Sequence, residues 1–411
     1  MKNFNDKLKN YAKLTVKVGI NLQEGQPLVI SGPIDGANFV RLLAKYAYEA
    51  GASEVFINWH DDVLSRLKYE NAPMEVFENF PQWKADAMED YADKGAGFIS
   101  IHAQDPELLK GIDMEKIVAS NKSSANGMKN FREYLMNDTN SWCVVSIPTK
   151  GWARKVFPKL SDEEAMEKLW EKIFAATRTD LDDPIKAWED HLANIKESVD
   201  YLNKKNFSRL HVTSSKGTDL DVKLPKGHIW SGGYGENEKA TKFVANIPTE
   251  EVFTMPHRSG VNGVVYNTKP FVYGGNLIDE FKIVFKDGKV VDYDAQIGKG
   301  YLKEMLGMDE GASYLGEIAL VPNSSPISQA NIVFFNTLFD ENASCHLAFG
   351  KAYPTSIQGG SSMDEDQLKE SGVNDSIIHE DFMIGSSDLS IIGISEDGQE
   401  VQVFKDGEWS I

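Results

Sequence analysis

Cysteine is almost missing from this chain: only Cys143 and Cys345 occur among 411 residues, and they stand far apart. That scarcity excludes a disulfide framework, and without a paired Cys spacing a thiolate zinc site is excluded too. Long apolar runs are absent, since no stretch approaches the roughly 20 consecutive apolar residues of a membrane span. Positive charge is in deficit, with 43 Lys and Arg against 62 Asp and Glu and a net charge of −19. Binding nucleic acid by neutralising phosphates needs the opposite balance. Neither GxGxxG nor GxxxxGK[ST] follows any strand-like run, so no nucleotide loop is present. HExxH is missing as well, and no two His stand at i, i+4, so any metal site must draw on separated segments. The polar amphipathic start, Met1-Lys-Asn-Phe-Asn-Asp6, has no signal-peptide apolar block, and cytoplasmic residence is the expectation.

What is present is a soluble globular composition, 41% apolar and 26% charged, in a chain long enough for two domains. The first ~200 residues alternate strand-like and helix-like segments. Leu28-Val-Ile-Ser-Gly32 reads as a strand. Asn38–Ala50 then carries Phe39, Leu42, Leu43, Tyr46 and Ala47 at helical spacing and is stopped by Gly51. Glu54–Trp59 is a second strand, with Asp61 placed to cap the next helix. Gly97–Ile101 and Trp142–Ile147 are two further buried strands, and Ser161-Asp-Glu-Glu164 has the spacing of a capping box. Beyond Asn206 the texture turns to β, with Asp287-Gly288, Asp397-Gly398 and Asp406-Gly407 as hairpin signals. The expected fold class is α/β. It comprises a three-layer α/β domain with a mostly parallel sheet over 1–205, and a β-rich α+β catalytic domain over 206–411.

Four segments of the second half carry side chains suited to metals. Asn246-Ile-Pro-Thr-Glu-Glu251-Val-Phe-Thr254 sets two acids in an apolar stretch, and Leu315-Gly-Glu317-Ile-Ala-Leu-Val321 sets one at the head of a strand-like run. Phe335–His346 ends on a lone His among small and apolar neighbours, and His379-Glu-Asp381 puts His and Asp on one face of a strand. Imidazole and carboxylate suit zinc, cobalt or manganese, and carboxylates can bridge two ions. Each feature also has an ordinary reading: a solvated or capping acid, or a hydrogen-bonded half-buried histidine. The residues alone do not establish that the segments converge.

Together these segments closely resemble the thermophilic aminopeptidase family, and the similarity runs from Gly25-Gln-Pro27 to the C-terminus. The resemblance implies a broad-specificity exopeptidase with two divalent metal ions (Zn, Co or Mn), acting on peptides with a free N-terminus. It implies a homodimer with an enclosed chamber; no nucleic-acid or membrane partner is expected, on the charge balance and the lack of a long apolar run. By position, the metal ligands would be Glu251, Glu317, His346, His379 and Asp381, with Glu251 chosen over Glu250 as the second acid of its run. Tyr353 matches a family tyrosine beside the metals and is expected to donate to the oxyanion. Glu250 or Glu317 is expected to pass a proton to the leaving amine. Glu380 stands where the family often has Val, and is expected on the opposite strand face. His257 and Arg258 are candidates for the pocket wall, whereas Asp219 reads as a turn acid. Two alternatives remain at this point: an amidohydrolase acting on non-peptide amides, and a non-catalytic protein holding one structural metal.

Overall fold

The structure, a computed structural model, describes residues 3–273 and 276–411. The chain forms two compact units, one made of the chain up to Asp190 with Tyr234–Pro248, the other of His191–Gly233 with Thr249–Ile411. No helix among the described residues is long and apolar enough to cross a membrane.

In the first unit, β1 (Pro27–Pro33), β2 (Glu54–His60), β3 (Gly97–Ile101) and β4 (Trp142–Val145) form a sheet in the order β2-β1-β3-β4, with every neighbouring pair parallel. Successive residues Leu28, Val29 and Ile30 are all buried, as a strand covered on both faces requires. Val29 and Phe98 meet Met88 and Ala92 of helix Trp83–Asp93, with Phe131 and Leu135 of helix Lys129–Met136 closing over them. The expected helix forms at Ala37–Glu49. Asp61 caps the next helix through the Leu64 N–H, and the Ser161–Glu164 capping box is formed. A single division after residue 205 does not describe the units, because 234–248 returns to the first one. Val144 N–H donates to Ala245 O at 2.7 Å, and Ile247 N–H donates to Val144 O at 2.9 Å, so this segment is tied to β4.

The second unit holds an antiparallel sheet of nine strands among the described residues. Asp287 and Gly288 both adopt positive φ (50° and 82°) between Asn276–Lys286 and Lys289–Ile297, the conformation a two-residue hairpin demands. A smaller antiparallel sheet contains β5 (Val252–Thr254), β6 (Leu315–Leu320), β7 (His346–Gly350) and β8 (His379–Met383) in the order β8-β7-β6-β5. One face of it enters the unit's core: Ile318, Leu347, Phe349 and Phe382 join Phe281, Ile283 and Phe285. The rings of Phe349 and Phe382 stack with centroids 4.6 Å apart, and Phe382 also meets Phe281 at 5.5 Å. The anchored face fixes the register, and with it every side chain on the other face.

Candidate metal centre

Strand alternation sorts the small sheet into a core face and a polar face. Residues directly opposite one another on paired strands point the same way. Phe253, Ala319, His346 and Met383 form one such row. Glu317, Ala348 and Asp381 form the next row, and His379 lies opposite Gly350 in the one beyond. Glu251 stands two residues before Phe253 and so shares its side of the chain. Small residues separate the donors. Ala348 sits between two carboxylates, and at Gly350 (φ 94°) a Cβ would fall 2.1 Å from Ile378 O.

The side chains meet over this floor. His346 Nε2 is 3.3 Å from both Glu251 Oε2 and Glu317 Oε1. His379 Nε2 is 3.7 Å from Glu317 Oε2 and 3.5 Å from Asp381 Oδ1. Two sets result, Glu251–Glu317–His346 and Glu317–His379–Asp381, each with its ligand atoms within 4.8 Å of one another, and Glu317 belongs to both. The rings are aimed from behind. Nδ1 of His379 lies 2.6 Å from Lys351 O, and Nδ1 of His346 lies 3.2 Å from Ser344 O. Carbonyl oxygens only accept, so both Nδ1 atoms carry the proton and both Nε2 atoms face the cluster. His346 and Glu317 are 1% and 5% exposed, so these charges are held out of water.

Electrostatics follow from that burial. Burial works against a charged His379, but Asp381 and Glu317 outweigh it and push its pKa up to about 10. His346 is raised well above its ordinary value: burial opposes charge, and Glu251 and Glu317 prevail. Burial raises Glu317, whereas Asp381 is lowered because the neighbouring His379 overcomes its own burial. Asp381 Oδ1 makes no hydrogen bond to any described residue although it is buried. An orphaned carboxylate oxygen beside two inward-facing imidazole nitrogens and a shared Glu is a donor set that fits divalent cations.

The other expected site residues divide. Tyr353 joins the cluster, its ring edge-on to His379 at 5.1 Å. Burial, together with Glu317, Asp381, Glu341 and Glu251, raises its hydroxyl pKa, so it stays a proton donor. Glu250, of opposite parity to Glu251, faces His191 instead, with Oε2 3.6 Å from Nε2, and its N–H donates to Asn342 Oδ1 at 2.7 Å. Glu380 lies opposite Phe349 on the far face, as alternation requires, and burial followed by Asp381 raises its pKa to about 7. Arg258 engages Glu310, Asn374 and the Tyr314 ring, and His257 Nδ1 accepts from Ser259 N–H. Asp219, expected in a turn, is instead the exposed first residue of strand Asp219–Lys223 inside the nine-stranded sheet, with Oδ1 3.7 Å from His211 Nε2. One acid was overlooked. Glu341 is raised well above the carboxylate range by burial and by Glu251 and Asp381, so it belongs to the same electrostatic neighbourhood. Its signal was in the sequence: Asp340-Glu-Asn342 is a polar run between the buried Phe339 and Cys345.

Carboxylates and imidazoles gathered in this way on a sheet backed by an apolar core define a metal-dependent hydrolase. The profile of the thermophilic metalloprotease family (M29) matches residues 4–409, and the chain belongs to that family. Aminopeptidase 2 of Geobacillus stearothermophilus is 50% identical over 410 residues, spanning 100% of this chain and 99% of the relative. Aminopeptidase AmpS of Bacillus subtilis (strain 168) is likewise 50% identical over 410 residues, spanning 100% of both chains. Among solved structures, wild-type AmpT from Thermus thermophilus superposes with a TM-score of 0.93 at 39% identity, over 99% of this chain and 100% of that one. The α/β fold class expected from the sequence is the one this structure shares.

Proposed function

We propose that the chain is an aminopeptidase that removes N-terminal residues from peptides with broad specificity, using two divalent metal ions. The observation that carries the two-ion reading is Glu317, whose two oxygens serve two separate donor sets. Glu251 and His346 would hold one ion, His379 and Asp381 the other, with Glu317 between them. Zn, Co and Mn all accept these oxygen and nitrogen donors. Such ions supply acidification of a water molecule and polarisation of the scissile carbonyl.

The chain's own residues do the rest. The two backbone carbonyls behind His346 and His379 keep their Nε2 atoms directed inward. Tyr353, held protonated, donates a hydrogen bond to the oxyanion that develops on the carbonyl. Glu250 is turned to His191, which leaves Glu317, or Glu341 with its pKa raised by burial and by Glu251 and Asp381, to pass a proton to the leaving amine. The names of the relatives support peptide substrates with a free N-terminus. Resemblance to the family supports a homodimer, and two buried free thiols suit the reducing cytoplasm.

Dialysis against a strong chelator should abolish hydrolysis of aminoacyl-anilides, and Zn²⁺, Co²⁺ or Mn²⁺ should restore it. Acetylating the substrate's amine should stop cleavage. Turnover that survives chelation, or cleavage of acetylated peptides, would refute the reading.

A further inference from the structure

We propose that Phe253 is the wall against which the side chain of the substrate's N-terminal residue rests, and that within a broad specificity it favours large apolar residues. The inference rests on the aminopeptidase reading above and adds a determinant of specificity to it.

Phe253 shares the row of Ala319 and His346, so its ring rises from the same face as the donors. Its neighbours Val252 and Thr254 are 1% and 0% exposed, yet Phe253 itself stays half-buried, an aromatic left open on the working face. Its backbone is clamped on both edges: Ala319 is its ladder partner, its N–H donates to Ser231 O at 2.8 Å, and its carbonyl accepts from Ser231 N–H at 2.9 Å. A side chain on so fixed a base is a rigid platform rather than a mobile flap. The Phe253 ring lies 6.1 Å from that of Tyr353, which in turn meets His379, so one aromatic surface runs to the edge of the donor cluster.

Geometry then limits where the substrate's side chain can go. The free amine and the scissile carbonyl both flank the terminal α-carbon, and both must lie at the donors. The side chain on that carbon therefore projects within one side-chain length of them. Phe253 is two residues from Glu251 along an extended chain, roughly 7 Å. An apolar side chain resting there leaves water, whereas a carboxylate meets the negative face of a ring that offers it no partner.

The test compares kcat/KM for Leu-anilide and Ala-anilide with metal-loaded enzyme, with metal content measured in parallel. Phe253→Ala should lower the Leu-to-Ala ratio by about tenfold or more while metal content is retained. A ratio within twofold of the wild type, or equal loss on both substrates, overturns the proposal. Should that variant not fold, Phe253→Trp carries the test: a larger ring should depress Phe-anilide relative to Ala-anilide, and an unchanged ratio overturns the proposal. Failure of the wild-type enzyme to cleave any aminoacyl-anilide refutes the aminopeptidase reading itself. That outcome is distinct from an active enzyme whose selectivity ignores Phe253.

Discussion

Ala348→Val would test whether the sheet's register assembles the site. Ala348 is wholly buried and directly opposite both Glu317 and Asp381, so the two carboxylates converge above its methyl group. Cross-strand Cβ atoms lie roughly 4.5–5.5 Å apart, which leaves no spare volume between the three residues. Valine adds two carbons there. Being β-branched, it favours the strand itself, so any loss comes from space rather than propensity. Overpacking of this kind costs about 1–3 kcal/mol of stability. A donor displaced by ~1 Å can cost on the order of 10²-fold in rate. Metal content by elemental analysis, kcat/KM on Leu-anilide and a urea midpoint would be measured together. The expected result is a folded protein with reduced metal content and activity lower by ~10²-fold. A variant with full metal content and turnover within threefold of wild type would refute the claim that these carboxylates meet over Ala348.

If Glu317 bridges two ions as proposed, Glu317→Gln should lower the metal content per chain, and turnover with it. A fully loaded, active variant would disprove the bridging role. Tyr353→Phe should reduce kcat by roughly 10²–10³-fold with little change in KM, as loss of an oxyanion donor does; an unaltered kcat would reduce Tyr353 to packing. Asp340, the last residue of the short helix Thr337–Asp340, tests the turn that presents Glu341. Its carboxyl accepts N–H bonds from Phe334 and Asn336, yet burial raises its pKa from 3.8 to about 6. With the folded pKa above the unfolded one, the native state holds the extra proton between about pH 4 and 6. Stability therefore falls as pH rises through that window, by about 3 kcal/mol. Asp340→Asn should remove this slope, so the variant's stability relative to wild type should rise from pH 4 to 6; urea midpoints that stay parallel would contradict it.

Local signals were legible because they act over two to four residues. The Asp61 cap, the Ser161–Glu164 capping box and the Asp287-Gly288 turn each depend on neighbours in the chain, and each formed where its pattern stood. Alternation alone put His379 and Asp381 on one face and Glu380 on the other. Glu341 was passed over because a polar run reads as loop until burial reveals which of its acids has been taken out of water.

Sequence by itself therefore determined the element types, the parity within each strand and the residue kinds able to hold a cation. Tertiary structure decided which strands lie side by side. It was pairing across the chain, fixed by Ile318, Leu347, Phe349 and Phe382 in the core, that set Glu317 against Ala348 and Asp381. It also returned 234–248 to the first unit through two hydrogen bonds to Val144. The physical reason is range: periodicity and caps are local, whereas register is chosen by apolar burial among segments that no local pattern connects.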